Sequence, residues 1–179
     1  MIPYILFSIF VLTNIITECW NIPAMNPLTQ PMSAYLASMP SAPVKLAWSQ
    51  VLGFASMAVG LLFLGHLWGG GYLMLLGVLG ALGLIVVVAT KLMISGHPTD
   101  PANSTLESIH VKAAGVAFLS VAAMILAHTW GHFVFASWLT VAAAAFDPLY
   151  LKFGSPKFMT AVQEKVTTAC YLIAIFNLL

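Results

Sequence analysis

The chain reads as an all-α, polytopic integral membrane bundle of six transmembrane helices, and three observations lead there. Of its 179 residues, 61% are hydrophobic and 6% are charged, against about 25% charged in a soluble globular domain, and its mean hydropathy is +0.99. The apolar residues gather into runs at 2–16, 44–67, 72–93, 109–127, 132–146 and 158–178, most of them near the ~20 residues a helix needs to cross a bilayer. All six basic residues are lysines, and they fall near one side of that threading. A chain of this length holds about six or seven such helices with short connections, so residues 1–179 form a single transmembrane domain.

Helices are required rather than strands, because lipid offers backbone groups no hydrogen-bond partners. The first run opens on Met1 with no basic n-region and ends in Glu18-Cys19-Trp20-Asn21 without an A-x-A site. It is expected to be the first helix, not a cleaved signal peptide. The second and third runs are joined by Gly69-Gly70-Gly71, which suits a hairpin. Gly77, Gly80 and Gly83 in the third run face the task of packing without a hydrophobic drive, as do Ala113, Ala114, Gly115 and Ala117 in the fourth. Small residues meet it by letting backbones approach closely. The fourth and fifth runs touch at Thr129-Trp130-Gly131. Residues 109–150 are about twice the length of one span, so a tight turn is expected there in place of one tilted helix and a five-span chain. The last run carries Cys170 at mid-span, whereas Cys19 ends the first. Their depths differ, and two free thiols are expected rather than a disulfide.

Threaded this way, one face (face A) holds segments 18–43, 95–108 and 148–157, and the opposite face B holds the glycine turn, the Trp130 turn and both chain ends. Lys45, Lys91, Lys112, Lys152, Lys157 and Lys165 all sit at face A. The positive-inside rule then puts face A in the cytoplasm and both termini outside, in the inner (cytoplasmic) membrane of a cell. Glu18, Asp100, Glu107, Asp147 and Glu164 crowd the same face. Face B carries His66, Trp68, His128, Trp130 and His132, the composition of an interfacial aromatic belt.

The stretch from His97 to Phe118, between the third and fourth runs, is the candidate functional segment. Pro98 and Pro101 stop a helix, Ser104 or Thr105 is expected to cap the next one, and Glu107 or Ser108 to occupy its first turn. Asn103-Ser104-Thr105 matches a glycosylation sequon, but turn chemistry is the expected use. Asp100, Glu107, His97 and His110 exceed what a loop needs at a membrane boundary, where ionisable groups are costly and functional by default. Glu107 and His110 are three apart and share a helix face. Asp100, Glu107 and His110 are therefore the candidate binding residues of a polar loop spanning 95–110.

The same stretch carries a resemblance. Pro98-Thr99-Asp100-Pro101, a following threonine, then Ile109-His110 with Ala113-Ala114 and Phe118 resemble the signature loop of the prokaryotic six-span membrane proteins grouped as "domain of unknown function 998". Pro31-Met32-Ser33, Gly154 and Gln163 extend it more loosely along most of the chain, whereas His97 and Glu164-Lys165 depart from the family pattern. The resemblance implies six helices and a bacterial or archaeal membrane, and it supplies no established activity.

Three functions fit these parts. The first is a non-catalytic accessory subunit or a small-molecule or lipid-binding component, docking through the face-A loops. The second is a zinc enzyme acting on lipid head groups, with His97, Asp100 and His110 as metal ligands, since zinc catalysis needs three protein ligands and an open position. The third is electron transfer through haem b, with His66 and His132 on one side and His97 and His110 on the other. The haem reading suffers from ligands at span ends and from the lack of arginine for propionates. Transport is disfavoured because polar residues at mid-depth are few, and the hydroxyls of Ser120, Thr167 and Thr168 are expected to bond to their own helix. The sequence names no cofactor. Its expected partners are the lipid bilayer and either another membrane protein or a second copy of the chain. Nucleic acid, nucleotide and serine-nucleophile readings fail for want of a basic stripe, a phosphate-binding glycine loop or a G-x-S-x-G elbow.

Overall fold

Long apolar runs with no polar face become helices, and the computed structural model, which describes residues 1–19, 44–93, 101–132, 134–153 and 158–179, is all-helical with no strand among them. The helices are α1 (Ile2–Cys19), α2 (Val44–Leu67), α3 (Gly71–Met93), α4 (Pro101–His128), α5 (Phe135–Phe153) and α6 (Phe158–Leu178). Three stretches, Trp48–Leu67, Gly71–Met93 and Ser104–His128, are long and apolar enough to cross a membrane, and Ile2–Thr17 and Phe135–Ala145 are shorter apolar helices. The three long helices fit a membrane protein. Their outward side chains agree: Leu75, Leu82, Ile85 and Leu119 are all more than half exposed, an arrangement water would oppose and lipid tolerates.

Two boundaries differ from the sequence reading. Helix α4 begins at Pro101, well before residue 109, so Ser104 and Thr105 lie inside it and do not cap it. Glu107 likewise lies beyond the first turn. Proline is well suited to open a helix, because its missing N–H is one that has no intrahelical partner there and its φ is already helical. Helix α5 runs from Phe135 through Asp147 and Pro148 to Phe153, where a loop from residue 148 was expected. A proline inside an apolar helix is tolerated where neighbouring groups re-satisfy the freed carbonyl. The break between α4 and α5 is where the sequence puts it. Gly131 adopts φ +85°, and the His132 N–H donates to the Thr129 carbonyl at 3.0 Å.

Helices α1 to α4 pack as consecutive antiparallel neighbours. Gly69, Gly70 and Gly71 turn the chain between α2 and α3 with φ of +126°, +65° and +56°, values that a side chain on L-residues resists. Past that turn the backbones run almost in contact. A Cβ on Gly77 would stand 2.7 Å from the Leu61 carbonyl oxygen, and one on Gly83 would stand 2.8 Å from that of Ala113. Gly115 departs from the expected packing surface, because it faces open space. Between α1 and α2, Phe10 meets Phe54 edge to face at 5.6 Å.

Helices α5 and α6 pack chiefly on each other. Helix α6 reaches the rest of the bundle through rings: Tyr171 lies 6.2 Å from Phe118 of α4, and Phe176 stacks on Tyr4 of α1 at 5.5 Å. The Tyr4 hydroxyl also donates to the Phe176 carbonyl at 3.1 Å. Phe7, Phe10, Leu61, Leu64, Met124, Ile125 and Ile175 form the fully buried centre.

Candidate binding site

Buried polar side chains are unevenly distributed along this bundle. Thr13, Asn14 and Thr17 of α1, Gln50 of α2, Thr90 and Lys91 of α3, His110 of α4, and Thr167 and Thr168 of α6 are all buried. Those of α1 and α3 lie in the C-terminal part of their helices, those of α2 and α4 in the N-terminal part and those of α6 at its middle, while Ser56 is buried at mid-helix and Ser120, Thr129, Ser137 and Thr140 are buried toward the other end. Antiparallel packing of α1 to α4 makes the C-terminal part of α1 and α3 and the N-terminal part of α2 and α4 the same end, and of the buried polar residues His110 and Thr168 border one cavity.

At the α3–α4 seam, Lys91 reaches across to Glu107, with Nζ 2.6 Å from Oε2. The lysine side chain is 8% exposed and the glutamate side chain 49%, so the ammonium is the buried partner and depends on this carboxylate for compensation. One turn further along α4, His110 is 6% exposed. Its Nδ1 lies 3.2 Å from the Val87 carbonyl oxygen and 3.2 Å from the Thr90 hydroxyl. A carbonyl only accepts, so Nδ1 carries the proton. The Thr90 hydroxyl spends its own hydrogen on the Val86 carbonyl at 2.8 Å, which leaves its oxygen able to accept from His110. Asn14 and Gln50 meet as an amide pair at 3.4 Å between α1 and α2.

Between these groups and α6 lies a cavity of about 30 Å³. His110, Glu164 and Thr168 supply its polar lining, and Phe10, Phe54, Met57 and Phe118 are among its apolar walls. A drug-sized ligand needs about 300 Å³ or more. The cavity as it stands therefore takes a group the size of one or two waters, or part of a larger molecule whose remainder lies elsewhere.

Of the candidate residues, Glu107 and His110 both face α3 and are brought to the same seam, on separate partners. Asp100 and His97 lie outside the described residues, and with them two members of the candidate zinc set. Among the described residues no three His, Cys, Asp or Glu side chains stand close enough to hold a metal ion. His66 is exposed at the end of α2 and His132 is exposed in the α4–α5 turn. Near them, the His128 ring at the end of α4 stacks on Trp68 at 4.2 Å and 8°. Cys170 is a free thiol.

Sequence reasoning missed Lys91 and Thr90 as partners of Glu107 and His110, and it missed Glu164 and Thr168 as wall residues opposite. The available signal was position: each lies within a few turns of the same helix ends that carry the lysines. No protein-family profile, curated protein or solved structure matches the chain.

Proposed function

We propose that the chain is a six-span protein of a prokaryotic inner membrane, of the kind its central loop resembles, that binds a small molecule or lipid without catalysis of its own, alone or as the accessory subunit of another membrane protein. The observation that carries this reading is a cavity walled by phenylalanines and lined by the buried His110 and Thr168 and by Glu164, beside the end of the bundle where Asn14, Gln50, Thr90 and Lys91 are also buried. Polar groups at such depth cost free energy, and bundles keep them where they bind something. A polar head at that end and an apolar body along the phenylalanine walls match an amphiphile.

The threading has its own support. Tyr4, near the start of α1, touches Phe176, near the end of α6, as an even number of crossings requires. Lys45 opens α2, Lys91 is in the last turn of α3, and Lys152 lies near the end of α5, which agrees with lysine-bearing ends that face the cytoplasm and termini that face outside.

The test is native mass spectrometry and lipid analysis of the full chain purified in mild detergent. A bound small molecule or lipid is expected on the wild type and is expected to fall at least tenfold on His110→Ala, with the variant's melting curve still cooperative. Equal retention by both proteins, or none by either, would contradict the binding role. A stoichiometric second subunit in the same preparation would make that role an accessory one.

A further inference from the structure

Five buried threonines of this bundle share a habit that a sixth, Thr168, breaks. Thr13, Thr17, Thr90, Thr129 and Thr140 each donate their hydroxyl to the carbonyl four residues back, at 2.9, 2.7, 2.8, 2.9 and 2.8 Å, the usual way a helical threonine is satisfied in apolar surroundings. Thr168 is 6% exposed and lies within α6 with the Glu164 carbonyl at the same offset. Yet its Oγ1 has no hydrogen-bond partner among the described residues. Instead, Thr168 lines the cavity that His110 and Glu164 also line.

A buried hydroxyl left without a partner is unfavourable, and buried polar atoms in folded proteins are satisfied as a rule. A cavity holds a water once it exceeds about 10–15 Å³ and offers two or more polar neighbours. This one measures about 30 Å³ and has three polar residues in its wall.

We infer that the cavity is a binding site for a water-sized hydrogen-bonding group, which satisfies Thr168 Oγ1 beside His110 and Glu164. Two sources supply that chemistry: a water molecule, or the hydroxyl of an amphiphile whose apolar part lies along Phe10, Phe54 and Phe118. The amphiphile source rests on the binding role proposed above, and the water source does not.

The experiment uses the full chain in lipid nanodiscs of phosphatidylethanolamine and phosphatidylglycerol, and compares melting of the wild type, Thr168→Val, Thr168→Ser and Thr140→Val. Valine keeps the shape of threonine and removes only its hydroxyl. An occupied site is expected to make Thr168→Val melt several degrees lower, by more than Thr140→Val does, and to leave Thr168→Ser near the wild type. Thr168→Val melting at or above the wild type would overturn the inference, because a dry, unpartnered hydroxyl is better removed. Should the valine variant not fold, Thr168→Ala and Thr168→Ser decide. Serine melting above alanine, against its poorer helix propensity, upholds the site, and serine at or below alanine overturns it. Native mass spectrometry then names the source. A hydroxyl-bearing amphiphile retained by the wild type and lost at least tenfold by Thr168→Val identifies the ligand. A lower melting temperature for Thr168→Val with nothing retained by either protein identifies water, and this outcome upholds the site while rejecting the binding role.

Discussion

At the residue scale, the asymmetry of the Lys91–Glu107 pair decides what each partner contributes. Exposed ion pairs stabilise by about 0.2–1 kcal/mol, but here the cation is buried while the anion stands half in the open. Glu107→Gln keeps the side chain's size and removes the charge that compensates a buried ammonium. It is expected to lower stability by about 1.5–3 kcal/mol, the range for hydrogen bonds to charged groups. Lys91→Met in the same background should recover much of that loss, because it removes the stranded charge and puts an apolar chain of similar length in its place. Equilibrium unfolding of the two single variants and the double variant measures the coupling directly. A pair whose energies simply add would show that Lys91 finds its compensation elsewhere.

At the element scale, glycine has two opposite meanings within neighbouring helices. Gly77 lies where a Cβ would stand 2.7 Å from a backbone oxygen of α2, an atom that cannot swing aside. Gly77→Ala is therefore expected to push α2 and α3 apart and to destabilise by about 1–3 kcal/mol, as overpacking does. Gly115 meets nothing within 4 Å, so Gly115→Ala should gain up to about 1 kcal/mol from helix propensity alone. Thermal melting of both variants in one lipid or detergent separates the cases by sign. The turn between α2 and α3 gives a third case, because Gly70 holds φ +65°. Gly70→Val should cost about 1–2 kcal/mol in backbone strain, although nothing surrounds its Cβ. The residue type is the same throughout, and the outcome is decided by the neighbour across the interface at Gly77, by its absence at Gly115 and by the backbone conformation at Gly70.

At the scale of the whole molecule, α1 to α4 form a series of close antiparallel hairpins, and the α5–α6 pair meets them less extensively, α5 along α4 and α6 through its rings. The polar-lined cavity opens along this seam, where helices from both groups supply its walls. The six-span threading proposed above predicts that reporters fused at the N-terminus and at the C-terminus both register outside the cytoplasm, while a cysteine placed at Lys112, which is exposed, or at Lys165 is modified from the cytoplasmic side. Termini on opposite sides would leave an odd number of crossings and remove the orientation argument with it.

Much of this architecture could be read from the chain alone, because apolar length and helix-breaking residues act locally. The bounds of α2 and α6, the glycine turn before α3 and the break at Thr129 to Gly131 all follow from hydrophobic runs and from residues that tolerate positive φ. Glu107 and His110 were identifiable as neighbours on one helix face from their spacing. The bounds of α4 and α5 were not, because Pro101 and Pro148 carry the same local signal while one opens a helix and the other is absorbed within one. The partners across helices were not legible either. That Lys91 answers Glu107, that the Val87 carbonyl and Thr90 hold His110, and that Thr168 forgoes its own backbone beside a cavity depend on which helix lies opposite and at what rotation. Those relations arise when the helices settle against one another, since their packing is governed by close approach and by satisfying buried polar groups, neither of which a single helix contains.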